Sequence, residues 1–284
     1  MKKKSSSSGF KIVLLLIFLI FGGAALLSNG IFPTATKTPS NETDVENIPI
    51  NPTSSGSNQS LQLKPIQFQQ KQCGQTLAID FLIDRSGSMQ GDKIQKLKKG
   101  VLSFTQNFTD NNVIGAQDFS SPDSPKGTVE TLIPVSYYKD VKSKIPSMVN
   151  SLQASGWTYT RDAFSFTQQR LAEATTKYPG YKFALIFVSD GVPETAQCPR
   201  LNQLMGTCKS EQNPTNSPSI PDSIKAKGIR IFSIAYLDQN DTRWNNQLET
   251  LMKNIASSPS DFYIAPSSNQ IDSILSQITT KLCQ

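Results

Sequence analysis

The chain has 284 residues, a mass of 31.2 kDa, a formal net charge of +6 and no histidine. That length allows one sizeable domain with accessories or two small ones, and the missing imidazole excludes every Ser-His-Asp, Cys-His and His-ligated zinc mechanism. Apolar residues make up only 37%, and from position 66 onward 22 basic residues face 19 acidic ones, so part of the chain is expected to stay unpacked and no basic field for nucleic acid is present.

Residues 1–11 are basic, with Lys2, Lys3, Lys4 and Lys11, and they lead into an uncharged apolar run over Ile12–Leu27. Those sixteen residues would rise about 24 Å as a helix, short of the roughly 30 Å hydrocarbon core unless the segment extends over 12–32. Two readings stand. One is a transmembrane anchor with its lysines in the cytoplasm; the other is a signal peptide cut near Gly23, Ala24 and Ala25, which would leave a secreted protein. Residues 33–69 are rich in Ser, Thr, Pro and Asn and read as a disordered linker, since they cannot bury enough apolar surface to fold. A tether of this kind favours the anchor, and places the rest of the chain outside the cytoplasm with the N-terminus inside. Gly9-Phe10 also looks like a prepilin processing site, but Leu14 stands where that pattern wants Glu.

The four cysteines fit an oxidising compartment, and no Cys-x-x-Cys suggests zinc. Of the three possible connectivities, Cys73–Cys283 with Cys198–Cys208 is favoured, because the first pair would join the ends of the region 70–284 and the second lies ten residues apart.

From Leu77 the chain alternates short apolar runs with amphipathic stretches. Strands are expected at Leu77–Ile83, Val113–Phe119, Val129–Tyr138, Phe183–Val188, Ile229–Tyr236 and Asp261–Ala265. Helices are expected at Gly91–Asp110, 139–153, 160–177, Ile220–Ala226, Thr242–Ser257 and Asn269–Leu282. Residues 192–217 form a polar insertion holding Cys198 and Cys208. Strands regularly followed by helices predict an α/β fold, a doubly wound, mostly parallel central sheet with helices on both faces, preceded by the N-terminal hydrophobic helix and the linker. Asp80, in the middle of the first strand, is expected to be satisfied at that strand's solvent side, and Lys96, Lys98 and Lys99 to form the solvated face of the first helix.

In such sheets ligands bind at the carboxyl ends of the strands. Three segments fall there or at the helix start between them: Asp84-Arg85-Ser86-Gly87-Ser88, Gly156-Trp157-Thr158, and Ser189-Asp190-Gly191. Two carboxylates and three hydroxyls, all oxygen donors, suit a hard divalent cation such as Mg²⁺, Mn²⁺ or Ca²⁺. These segments resemble the metal-ion-dependent adhesion site (MIDAS) of the von Willebrand factor type A domain family, through DRSGSMQGDKIQKLKKGVLSF, GWTYTRDAF and FALIFVSDG. The resemblance implies that Ser86, Ser88 and Thr158 ligate the metal, Mg²⁺ foremost, with Asp84 and Asp190 directly or through water. Trp157 replaces the second Gly of the family's Gly-Gly-Thr segment, and the insertion has no family counterpart.

The resemblance further implies a non-enzymatic module that binds a protein or extracellular-matrix partner through a carboxylate on the metal. Arg85 and Trp157, beside the ligands, are candidate partner contacts. No small-molecule substrate is expected. A structural subunit of a surface or membrane assembly, pilus-like in kind, is the alternative. A metal-dependent hydrolase is disfavoured, because Ser86 stands where a phosphotransfer site would need a second acid.

Overall fold

A computed structural model describes residues 76–237 and 242–283. The basic start, the apolar segment 12–32, the linker 33–69 and Cys73 lie outside the described residues. Among the described residues no helix is long and apolar enough to cross a membrane.

Six strands form one sheet: β1 (Leu77–Asp84), β2 (Val113–Phe119), β3 (Val129–Tyr137), β4 (Lys182–Ser189), β5 (Arg230–Tyr236) and β6 (Phe262–Ala265), in the order β3-β2-β1-β4-β5-β6. All pairings are parallel except that of β2 with β3. The expected mostly parallel α/β sheet is therefore present. The order reverses at β1, whose two neighbours are β2 and β4, so the crevice used by doubly wound sheets opens at the carboxyl ends of β1 and β4.

Eight helices accompany the sheet among the described residues: α1 (Asp92–Thr105), α2 (Tyr138–Val141), α3 (Ile145–Asn150), α4 (Thr160–Lys177), α5 (Arg200–Leu204), α6 (Ile220–Lys225), α7 (Asn245–Ile255) and α8 (Ile271–Leu282). Strand side chains alternate between the two faces. On β1, Ile79, Phe81 and Ile83 face a core built with Ile94, Leu97 and Val101 of α1 and Ile274, Leu275 and Ile278 of α8. Ala78 and Leu82 face the other core, with Phe164 and Leu171 of α4 and Leu248 and Met252 of α7. Strands covered on both faces read as continuous apolar runs, which is why they stand out in the sequence.

Three expectations change. The predicted helix 139–153 is two short helices, because Pro146 has no N–H to continue the first and instead sits in the opening turn of α3. The predicted helix through Asp110 stops at Thr105, where backbone N–H groups of Gln106, Asn107 and Phe108 turn to carbonyls three residues back. Asp80 does not face solvent: it is 2% exposed and paired with Arg170 of α4, whose Nη2 also donates to the Ile133 carbonyl at 2.6 Å. Burial pushes the Asp80 carboxyl up to about 6 even though Arg170 pulls it back.

Candidate metal centre

Asp84 ends β1, and its two oxygens are already held. Oδ1 accepts from the Ser86 backbone N–H at 2.7 Å, and Oδ2 accepts from the Ser189 hydroxyl at 2.5 Å. A 3-10 turn over Gly87–Met89 follows and brings Ser86 Oγ within 3.1 Å of Ser88 Oγ. The Ser88 hydroxyl then donates to Asp190 Oδ1 at 2.7 Å, across 102 residues of sequence. Thr158 completes the group: a Cβ placed on Gly191 would lie 3.5 Å from Thr158 Oγ1 and 3.9 Å from Ser88 Oγ. Ser86, Ser88 and Asp190 are thus linked in a row, Ser88 and Thr158 both border the space beside Gly191, and Asp84 is joined to the row through the Ser86 backbone.

The loops that carry these groups are tied to one another by backbone. Gly87 N–H donates to the Gly156 carbonyl at 2.9 Å, and Ser155 N–H donates to the Arg85 carbonyl at 2.7 Å. Ser120 and Ser121, just past β2, grip the other side: the Ser120 hydroxyl donates to the Ser155 and Trp157 carbonyls, and the Ser121 hydroxyl accepts from Trp157 N–H. Gly156 has φ +78°, and a side chain there would run into both serine hydroxyls. Trp157 is half-buried, next to Thr158.

Electrostatics set the problem the site must solve. Asp84 is fully buried, and burial first, then the facing Asp190, push its carboxyl up to about 7, while hydrogen bonds from Ser189 and Ser86 pull it down. Two carboxylates in one buried pocket oppose joint ionisation unless a cation joins them. Among the described residues no group of three or more His, Cys, Asp or Glu side chains gathers. The side-chain oxygens beside these two carboxylates are hydroxyls, and an all-oxygen set of this kind fits a hard divalent ion.

Two residues behave differently from the sequence expectation. Arg85 does not point outward to a partner. It is fully buried, its Nε donating to Asp118 Oδ1 at 2.5 Å and its Nη1 and Nη2 to Ser124 Oγ and the Gly127 carbonyl, each at 2.6 Å. A guanidinium with no exposed surface has nothing to offer a partner, and here it anchors the loop after β2 instead. Lys93, in the first turn of α1, was not expected at the site at all, yet its Nζ lies 2.6 Å from Asp190 Oδ2. The available signal was its place: a cation in the opening turn of a helix sits at the unfavourable end of the helix dipole.

The insertion 192–217 joins the site through Glu194, which exchanges backbone hydrogen bonds with Thr158 (3.1 and 3.3 Å). The expected Cys198–Cys208 disulfide closes a loop within it. Cys283 is disulfide-bonded as well, and its expected partner Cys73 lies outside the described residues.

Residues 79–277 match the family model described as von Willebrand factor type A domain. No curated protein sequence matches the chain. Among solved structures it is similar to proximal thread matrix protein 1 from the mussel byssus, at 18% identity and a TM-score of 0.56 over 75% of this chain and 48% of that one. It is also similar to the pilus adhesin SpaC from Lactobacillus rhamnosus GG, at 18% identity and TM-score 0.58 over 75% of this chain and 31% of that one. A third likeness, to the domain of the type V pili tip protein Mfa5 from Porphyromonas gingivalis, has 11% identity and TM-score 0.53 over 74% and 97%. The chain therefore spans about half the length of the mussel chain and about a third of the adhesin. A further structure of the mussel protein has a zinc-occupied MIDAS motif.

Proposed function

Because the chain belongs to the von Willebrand factor type A domain family, we propose that it is an envelope-anchored, extracytoplasmic binding module that grips a protein or matrix partner at the crevice beyond β1 and β4. The observation that carries this reading is the meeting of Ser88, Thr158 and Asp190 at Gly191, with Ser86 and Asp84 adjoining. In it, Ser86, Ser88 and Thr158 hold the ion, while Asp84 and Asp190 contribute charge directly or through water. A bound Mg²⁺ would supply an electrophilic position for one carboxylate oxygen of the partner.

The chain's own residues do the rest. Ser189 and the Ser86 backbone orient Asp84, and the bond from Gly87 to Gly156 holds the serine loop against the threonine loop. Trp157 flanks the opening as the remaining candidate partner contact. The apolar segment 12–32 is the proposed anchor and 33–69 the tether. Likeness to a pilus adhesin and a pilus tip protein supports a second reading, a structural subunit of a surface assembly.

The test is retention of the full chain on immobilised Asp-containing peptide. Retention in Mg²⁺, lost in EDTA and lost in Asp84→Ala, is expected. Retention indifferent to both changes would remove the metal-bridged reading.

A further inference from the structure

Lys93 is the second residue of α1, where the aligned peptide dipoles present positive charge and disfavour a cation. Its ammonium nevertheless turns to Asp190, with Nζ 2.6 Å from Oδ2. The Asp190 side chain is fully buried while that of Lys93 is 24% exposed, so the lysine stands on the solvent side of this carboxylate. The other oxygen of Asp190 accepts from Ser88. One carboxylate thus links Lys93 to the hydroxyl cluster.

We propose that Lys93 is a tethered cation of this site, which lowers its affinity for a divalent ion and raises the affinity of the loaded site for a partner's carboxylate. The inference rests on the metal-binding reading above. Without an ion, Lys93 neutralises Asp190 and relieves its repulsion of Asp84. With a divalent ion present, the two aspartates already balance it, and Lys93 leaves the site one positive charge in excess. A single carboxylate from a partner then restores neutrality. Remove Lys93 and the same carboxylate would meet a site already balanced. The two affinities should therefore move in opposite directions, which a merely structural lysine would not produce.

The experiment uses the full chain. Mn²⁺ binding is followed by the electron paramagnetic resonance of free ion, and binding of a fluorescent Gly-Asp-Gly peptide is followed at saturating Mg²⁺. Lys93→Met is expected to tighten Mn²⁺ by about tenfold and weaken the peptide by a similar factor, the size of effect expected for one charge near a partly screened ion. Lys93→Arg is expected to stay within about threefold of wild type on both, since it keeps the charge. Lys93→Gln, checked for fold by circular dichroism, serves beside Lys93→Met should that variant misfold. Unchanged or weakened Mn²⁺ affinity in folded Lys93→Met or Lys93→Gln, with binding still abolished by Asp84→Ala, would overturn the role of Lys93 and leave the metal site standing. Absence of Mn²⁺ binding in wild type and Lys93→Met alike would overturn both.

Discussion

Gly156 works by what it lacks. It takes a left-handed φ of +78°, its carbonyl accepts from Gly87 N–H, and the space where a Cβ would stand is taken by the hydroxyls of Ser120 and Ser121. Gly156→Ala should therefore lower unfolding stability by about 1–3 kcal/mol, the usual size for a strained backbone position, read from denaturant unfolding in EDTA. A loss below about 0.5 kcal/mol would mean that the two loops adjust freely. Residue positions were legible in the sequence where a short motif holds them: Asp84, Ser86, Ser88, Thr158 and Asp190 all fall beside one crevice. Long-range partners were not. Arg85 finds Asp118 33 residues away and Lys93 finds Asp190 97 residues away, so local spacing names neither partner, although the place of Lys93 in the opening turn of α1 marks it as a cation out of its usual position.

At the scale of elements, strands and long helices were readable because burial on both sheet faces forces apolar runs and amphipathic stripes. The insertion was opaque for the opposite reason: its order comes from polar contacts at a distance. Arg161 N–H donates to the Gln212 carbonyl at 2.8 Å, and the Arg161 guanidinium donates to the carbonyls of Asn213, Asn216 and Pro218. Together with the Glu194–Thr158 pairing, these bonds lay the insertion over the start of α4. The Cys198–Cys208 bridge closes a small loop within it, and replacing both cysteines by serine is expected to lower stability by about 3 kcal/mol in the chain-entropy account of such bridges. Denaturant unfolding checks this. A change under about 1 kcal/mol would show that the insertion opens separately from the sheet.

For the whole molecule, pH dependence follows from three buried carboxyls. Asp84 is pushed up to about 7, and Asp80 and Asp118 to about 6, in each case chiefly by burial. Each binds its proton more tightly folded than unfolded, so its contribution is greatest at low pH and is lost as pH rises through the folded value. The chain has no histidine to titrate in the same window. Thermal stability in EDTA should thus fall from pH 5 to pH 7.5, and Asp84→Asn should make the fall shallower. A flat or rising profile would contradict the burial of these groups. β1 spans eight residues, about 26 Å, from Leu77 at one end of the sheet to Asp84 at the crevice. It is laced over seven register pairs to β2 on one side and seven to β4 on the other. A pull between Leu77 and the crevice at Asp84 runs along this strand. It strains both ladders in shear, so their rungs share the force and do not peel apart one by one.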